Sequence, residues 1–234
     1  IQIAAPGPVN GTVSQIRYLL PVIADIDGHP KETAIKQAIK DRLMDTYADS
    51  TFRPNQVVTR EDLSRSLLLN TNLRQTIGAI PKFGDITGDL RLIAESTTAK
   101  GSTNRDYDFV PTGMISFTGT SFNPAGSVNR LALAVALVKA LGHDEQARSL
   151  AGSTVTFNGL PLTDNSQIPV SLRGYVQLAI DKGLFEAFPA EIRQTAPGVF
   201  TAVPGPRFEP STTVTRATLA EKLLAYRSLY TVGG

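Results

Sequence analysis

One nine-residue pattern occurs three times in this chain, and it limits the possible fold more than any other feature. Phe52-Arg-Pro-Asn-Gln-Val-Val-Thr-Arg60, Phe122-Asn-Pro-Ala-Gly-Ser-Val-Asn-Arg130 and Phe208-Glu-Pro-Ser-Thr-Thr-Val-Thr-Arg216 align without gaps as Phe-x-Pro-x-x-x-Val-[Thr/Asn]-Arg. The arginines stand 70 and 86 positions apart, which fits three units carrying insertions of different length. A proline after a buried aromatic cannot continue a helix or a central strand, so Pro54, Pro124 and Pro210 fix an extended turn. Thr59, Asn129 and Thr215 are then suited to cap a helix, offering a side-chain oxygen to its first free N–H groups. Asp62, three residues after Thr59, completes an approximate capping box, and the valine before each cap can staple the first turn. Phe52, Phe122 and Phe208 read as core plugs.

The stretch after each motif has helical apolar spacing: Glu61 to Leu69, Leu131 to Leu141, and Ala217 to Tyr230, where Leu219, Ala220, Leu223 and Leu224 make one stripe. Ahead of each motif stand an acidic turn and another helical pattern. The turns are Asp25-Ile-Asp-Gly-His29, Gly84-Asp-Ile-Thr-Gly-Asp89 and Leu162-Thr-Asp-Asn-Ser166; the patterns run near Lys31 to Met44, Asp89 to Ala99 and Ser171 to Lys182. The unit is therefore acidic turn, helix, loop, Phe-x-Pro, cap, helix. The loop between the helices is short in the first unit and long in the second (Gly101 to Ser121) and third (Leu184 to Arg207). These boundaries predict a lead-in at 1–20, repeats at 21–78, 79–142 and 158–230, a linker with a short extra helix at 143–157, and a tail at 231–234.

The residues of the motif resemble the S-layer homology family. Tyr47-Ala-Asp49-Ser-Thr-Phe52-Arg-Pro-Asn-Gln-Val-Val-Thr59-Arg60-Glu-Asp-Leu63 is similar to that family's tyrosine, aspartate, Thr-Phe-x-Pro and Thr-Arg-Ala-Glu-Phe signature. Phe83-Gly-Asp85 matches its Phe-x-Asp start, where Asp25 and Asp164 also stand, and Gly126 to Ala134 with Thr213 to Ala220 complete the set. The resemblance spans roughly residues 20 to 230. It implies a mainly α fold with little or no β, in which three helix-loop-helix repeats form a pseudo-threefold assembly with grooves between them. It implies non-covalent attachment of an exported bacterial protein to a cell-wall polysaccharide or peptidoglycan, and so a place in the cell envelope or at the cell surface. It also implies groove positions for Arg60, Arg130 and Arg216, for their neighbours Thr59, Asn129, Thr215 and Asp62, and for an aromatic near the first helix. The family's tryptophan after the acidic turn is absent: the chain has no Trp, and His29-Pro30 stands at that place in the first repeat. A sugar ring stacking there would have to use His29. Tyr47 is the other candidate to face a groove.

Arginine in the first turn of a helix opposes the helix dipole, at about 0.3–1 kcal/mol when exposed. Three recurrences ask for a compensating partner. One reading supplies it from within, as bidentate pairs with Asp25, Asp85 or Asp164; the other supplies it as an anionic group of a bound glycan, for which the guanidinium fork is well shaped.

Composition narrows the function from the other side. With no Cys and only His29 and His143, thiol catalysis, disulfides and local histidine metal motifs are excluded. Twenty-three basic against 21 acidic residues is too even for a non-specific nucleic-acid binder. No apolar run reaches the length of a membrane span. The chain carries no Gly-x-Ser-x-Gly elbow, phosphate-cradling loop or His-Glu-x-x-His motif, so a non-enzyme without cofactor or metal is expected. The Ile1 start, with no Met, suggests a fragment or processed form. The missing tryptophan, and Ala132 and Thr218 in place of the family's glutamate three after the cap, suggest an alternative expectation: an accessory C-terminal region of a larger secreted enzyme or surface-layer protein, packed against an upstream domain and no longer binding glycan.

Overall fold

In a computed structural model the protein is described over residues 22–71, 73–100 and 112–231. The expected lead-in, residues 101–111 of the long second loop and the last three residues of the tail lie outside the described residues. In chain order the elements are α1 (Glu32–Lys40), α2 (Arg60–Asn70), α3 (Asp89–Thr97), α4 (Arg130–Ala140), α5 (Asp144–Ser149), β1 (Thr156–Phe157), β2 (Leu160–Pro161), α6 (Arg173–Asp181), β3 (Glu191–Ala196), β4 (Val199–Val203) and α7 (Arg216–Thr231). The fold is thus mainly α, with two small antiparallel hairpins.

The three caps form where the motif places them. Thr59 Oγ1 accepts from the Asp62 N–H at 3.1 Å while Asp62 Oδ2 accepts from the Thr59 N–H at 2.9 Å, a complete capping box. Asn129 Oδ1 accepts from the Ala132 N–H at 2.8 Å, and Thr215 Oγ1 from the Thr218 N–H at 3.3 Å. The next residue of each motif is therefore the first residue of a helix, in α2, α4 and α7.

The motif valines join the segments. Val58 N–H donates to the Val214 carbonyl (2.8 Å), Val214 to Val128 (2.8 Å) and Val128 to Val58 (2.9 Å), closing a ring of three backbone hydrogen bonds. Their side chains are buried together in the main core. The first two N–H groups of a helix have no partner inside it, and here each pair finds carbonyls on the next segment. Arg60 and Glu61 donate to Gly126 and Pro124, Arg130 and Leu131 to Thr212 and Pro210, and Arg216 and Ala217 to Gln56 and Pro54. The helices follow the same cyclic order: α3 packs on α2, α6 on α4 and α1 on α7. The helix ahead of each motif thus lies against the helix of a neighbouring motif. α4 is buried nearly all round, as its run of Leu, Ala and Val requires.

Each acidic turn holds the Phe-x-Pro corner of its own unit. Asp25 accepts from the N–H groups of Phe52 (2.9 Å) and Arg53 (2.6 Å), Asp85 from Phe122 (2.8 Å) and Asn123 (2.7 Å), and Asp164 from Phe208 (3.0 Å) and Glu209 (2.6 Å). The residue after each phenylalanine has a left-handed backbone, with φ of 57° at Arg53, 55° at Asn123 and 54° at Glu209. For side chains other than glycine this conformation is strained, and the carboxylate that binds two successive N–H groups offsets the strain.

The hairpins were not foreseen as strands. β1 and β2 turn through Asn158 and Gly159, both at positive φ, the Asn-Gly pair that a tight hairpin favours. β3 and β4 fall inside the long third loop, turn at Pro197-Gly198, and are almost wholly exposed.

Candidate functional site

The three arginines make one pattern of contacts. Arg60 Nε donates to the Phe122 carbonyl (2.7 Å) and Nη2 to Ser116 (2.8 Å); Arg130 to Phe208 (2.8 Å) and Glu186 (3.2 Å); Arg216 to Phe52 (2.8 Å) and Asp45 (2.9 Å). Each guanidinium thus reaches across to the Phe-x-Pro corner of the next segment and stacks on its phenylalanine, at 4.9 Å from Phe122, 4.9 Å from Phe208 and 4.8 Å from Phe52. The expected pairing with Asp25, Asp85 or Asp164 does not form. Those carboxylates spend their oxygens on backbone N–H groups, and the arginines take neutral carbonyls. Among the described residues no carboxylate forms an ion pair with any of the three arginines.

The junctions differ in what surrounds that charge. Arg130 is 7% exposed and also lies against Phe185 (5.1 Å) and Phe188 (4.4 Å). Burial pulls its pKa down to about 10, against the pull of Glu209, Glu221 and Asp164. Arg216 is 9% exposed and sits 4.6 Å from the ring of Tyr47. Arg60 stacks on one ring and is only half-buried; desolvation lowers its pKa and nearby Asp85 opposes this. It opens onto a cavity of about 930 Å³ between the first two motif segments, at the upper end of the range for ligand sites. Asn129 and Ala132 from the start of α4 line it, as do Lys82 and Phe117. Lys82 Nζ is held by the carbonyl and hydroxyl of Thr98 (3.0 and 3.1 Å) and lies 4.0 Å over the Phe117 ring. Desolvation lowers its pKa, with Glu95 opposing.

Of the other candidates, Asn129 joins Arg60 at this cavity. Thr59, Asp62 and Thr215 serve as helix caps. Tyr47 donates from its hydroxyl to Gln56 Oε1 (3.1 Å), and its ring meets Arg53 at 3.9 Å as well as Arg216, so a neighbouring guanidinium already occupies its face. His29 Nδ1 accepts from the Lys31 N–H at 3.0 Å and closes a turn. Sequence reasoning missed Lys82, Lys139 and Arg148, which line the same cavity. A lysine in the otherwise apolar Val135 to Ala140 stretch was the one signal for Lys139. Among the described residues no cluster of His, Asp or Glu could hold a metal ion, and no helix is long and apolar enough to cross a membrane.

Residues 23–64 match the family model of the S-layer homology domain. The match begins just before Asp25 and ends in the first turns of α2, so it takes in the first acidic turn, α1 and the first motif. This domain is generally a cell-wall anchoring module, found in surface and envelope-associated bacterial proteins. No curated protein matches the chain.

Proposed function

We propose that the chain is three S-layer-homology-type repeats, 21–78, 79–142 and 158–230, closed on one another in pseudo-threefold fashion. In this reading it is a non-catalytic module that holds an exported bacterial protein to the cell envelope by binding wall polysaccharide or peptidoglycan. One observation carries the reading: the valine ring, the helix-start hydrogen bonds and the arginine bridges recur in the same cyclic order at all three motifs. This recurrence supports reading the two motifs outside the matched residues 23–64 as units of the same kind.

The polymer-binding position in this reading is the cavity beside Arg60. Asn129 supplies a polar wall and Lys82 a second cation, an arrangement suited to a saccharide bearing carboxylate or phosphate. The test is retention on purified bacterial sacculi that still carry their attached polymer. The chain is expected to be retained, and Arg60→Ala to reduce retention by about tenfold, the scale of one lost charge-assisted contact. No retention of the unaltered chain would sink the reading.

A second reading is favoured by the burial of Arg130 and Arg216 and by the occupied face of Tyr47. There the repeats are a structural module packed against a catalytic or surface-layer domain of the same polypeptide. In that reading wall binding has been lost, so the unaltered chain would not be retained on sacculi, the outcome that would support it over the first.

A further inference from the structure

The cavity extends well past the motif residues that open it. It tracks one face of α4, touching Asn129, Ala132, Val135 and Lys139, positions three, three and four apart that a helix sets in one line. At 1.5 Å per residue the interval from Asn129 to Lys139 spans about 15 Å, more than one sugar ring covers. Arg60 stands at the end where α4 begins. At the other end stand Lys139, Arg148 and Tyr175, from α4, α5 and α6. α5 belongs to the segment 143–157 between the second and third units, so the threefold pattern does not produce this end. An insertion does.

The chemistry of the far end is that of two cations over one submerged carboxylate. Asp144, with no exposed surface, accepts from the Tyr175 hydroxyl (2.5 Å) and from Arg148 Nε (2.8 Å), and lies 3.8 Å from Lys139 Nζ. Lys139 also donates to Thr112 Oγ1 (2.6 Å) and the Gly113 carbonyl (3.0 Å). Burial lowers the Lys139 pKa and Asp144 opposes this. Asp144 does not line the cavity, whereas Lys139 and Arg148 do, and the Arg148 side chain remains 48% exposed. Among the described lining residues there are five cations, Arg60, Lys82, Lys100, Lys139 and Arg148, and no carboxylate.

We infer that the Lys139–Arg148 end is a second anion subsite, which holds another negatively charged group of the polymer bound at Arg60, about one length of α4 away. The subsite rests on the wall-binding reading above. It gives the cavity a preference for polymers charged at intervals over those carrying a single terminal charge. Arg148 is the accessible donor, and Lys139 fixes the positive field from beneath.

The experiment is retention of the full chain on polymer-bearing sacculi over a salt gradient, for the unaltered chain, Arg60→Ala, Arg148→Gln, Arg148→Lys and Ser171→Glu. Ser171 is an exposed residue that lines the far end, so its replacement puts a negative charge there without touching the Asp144 cluster. Arg148→Gln and Ser171→Glu are each expected to weaken retention by about five- to tenfold, with thermal melting of Ser171→Glu unchanged. Arg148→Lys should restore most of the loss, and retention of Ser171→Glu should depend less steeply on salt. Full retention of both Arg148→Gln and Ser171→Glu, alongside loss for Arg60→Ala, overturns the subsite and leaves wall binding standing. Failure of the unaltered chain to be retained overturns both.

Discussion

Arg60 and Arg130 occupy the same place in the same motif and make the same bond to the next segment's phenylalanine carbonyl, yet they stand in opposite surroundings. Arg130 lies against Phe185, Phe188 and Phe208 and has almost no exposed surface. Among the described rings Arg60 meets that of Phe122 alone, and it opens onto the cavity. The difference comes from the insertions. In the third unit the stretch after α6 brings Phe185 and Phe188 over the arginine; in the second, the stretch before Phe122 leaves Arg60 beside Ser116 and Phe117. A motif arginine is thus first a structural bridge, as the carbonyl bonds at all three junctions indicate. Whether it is also open to a ligand is decided by residues outside the motif. The internal partner is thus the next segment's carbonyls at all three junctions and not the acidic turns, and of the three arginines Arg60 is the one that lines the cavity.

The strongest way to break the comparison is to remove the phenylalanines. Phe208 and Phe52 belong to the main core, whereas Phe122 sits in a small separate cluster with Phe83, Ile86 and Ala94. Phe208→Ala is expected to cost about 3–5 kcal/mol in chemical denaturation, and Phe122→Ala the low end of that range, because fewer neighbours frame the void. Equal losses would mean that the first junction is as tightly built as the others. Next in size, Arg130→Ala strands the buried Phe208 carbonyl and the partly buried Glu186 carbonyl and opens a gap among three rings, for about 2–3 kcal/mol. Arg60→Ala leaves its carbonyls nearer to water and should cost about 1 kcal/mol. Arg216→Ala should fall close to Arg130→Ala. If Arg60→Ala were the most destabilising of the three, the division between structural and ligand-accessible arginines would fail.

Much of this fold was legible in the sequence. The order of the long helices, the three caps and the capping box at Thr59 and Asp62 come from short-range chemistry: a proline, an oxygen-bearing cap and an apolar stripe within about a dozen residues. The arginine partners were not legible in this way. Arg216 bonds to Phe52 and Asp45, whose positions next to it depend on the chain closing a ring, and periodicity cannot report that closure. The acidic turns are visible in the sequence but their role is not, since their charge points to a guanidinium partner, whereas the left-handed corner at Arg53, Asn123 and Glu209 needs acceptors for its N–H groups. The cavity was hidden for a third reason. Apart from the motif's Arg60, its cations come from the approach to α3, the stretch just after α3, the end of α4 and the inserted α5, four places with no shared pattern.

The acidic turns offer a smaller and pH-dependent test at the open junction. Asp85 is held down to about 2, chiefly by the N–H groups of Phe122 and Asn123 and also by the Ser121 hydroxyl. A carboxyl lowered by folding stabilises the fold above its unfolded pKa, near 4, and that contribution is lost as pH falls through the folded value. The difference in melting temperature between the unaltered chain and Asp85→Asn should be full at about pH 5 and shrink between about pH 4 and pH 2. A difference that stays constant over that interval would show that Asp85 does not hold the corner as a carboxylate.

The smallest effect separates stability from binding. Ala132 and Thr218 occupy the third helical position where Asp62 completes a capping box; Ala132 has no acceptor, and the Thr218 hydroxyl meets the Thr215 hydroxyl at 3.2 Å without taking the cap residue's N–H. A glutamate at either place should accept the cap residue's N–H and favour the helix dipole, for a gain of about 0.3–1 kcal/mol. The two sites then part. Ala132 lines the cavity beside Asn129, so Ala132→Glu sets a negative charge among its cations and should weaken retention on sacculi while raising the melting temperature. Thr218 accepts from Lys31 Nζ at 3.2 Å, outside the cavity, so Thr218→Glu should raise stability and leave retention unchanged. Equal retention for both variants would show that the charge at the start of α4 has no part in holding the polymer, whatever the arginine beside it does.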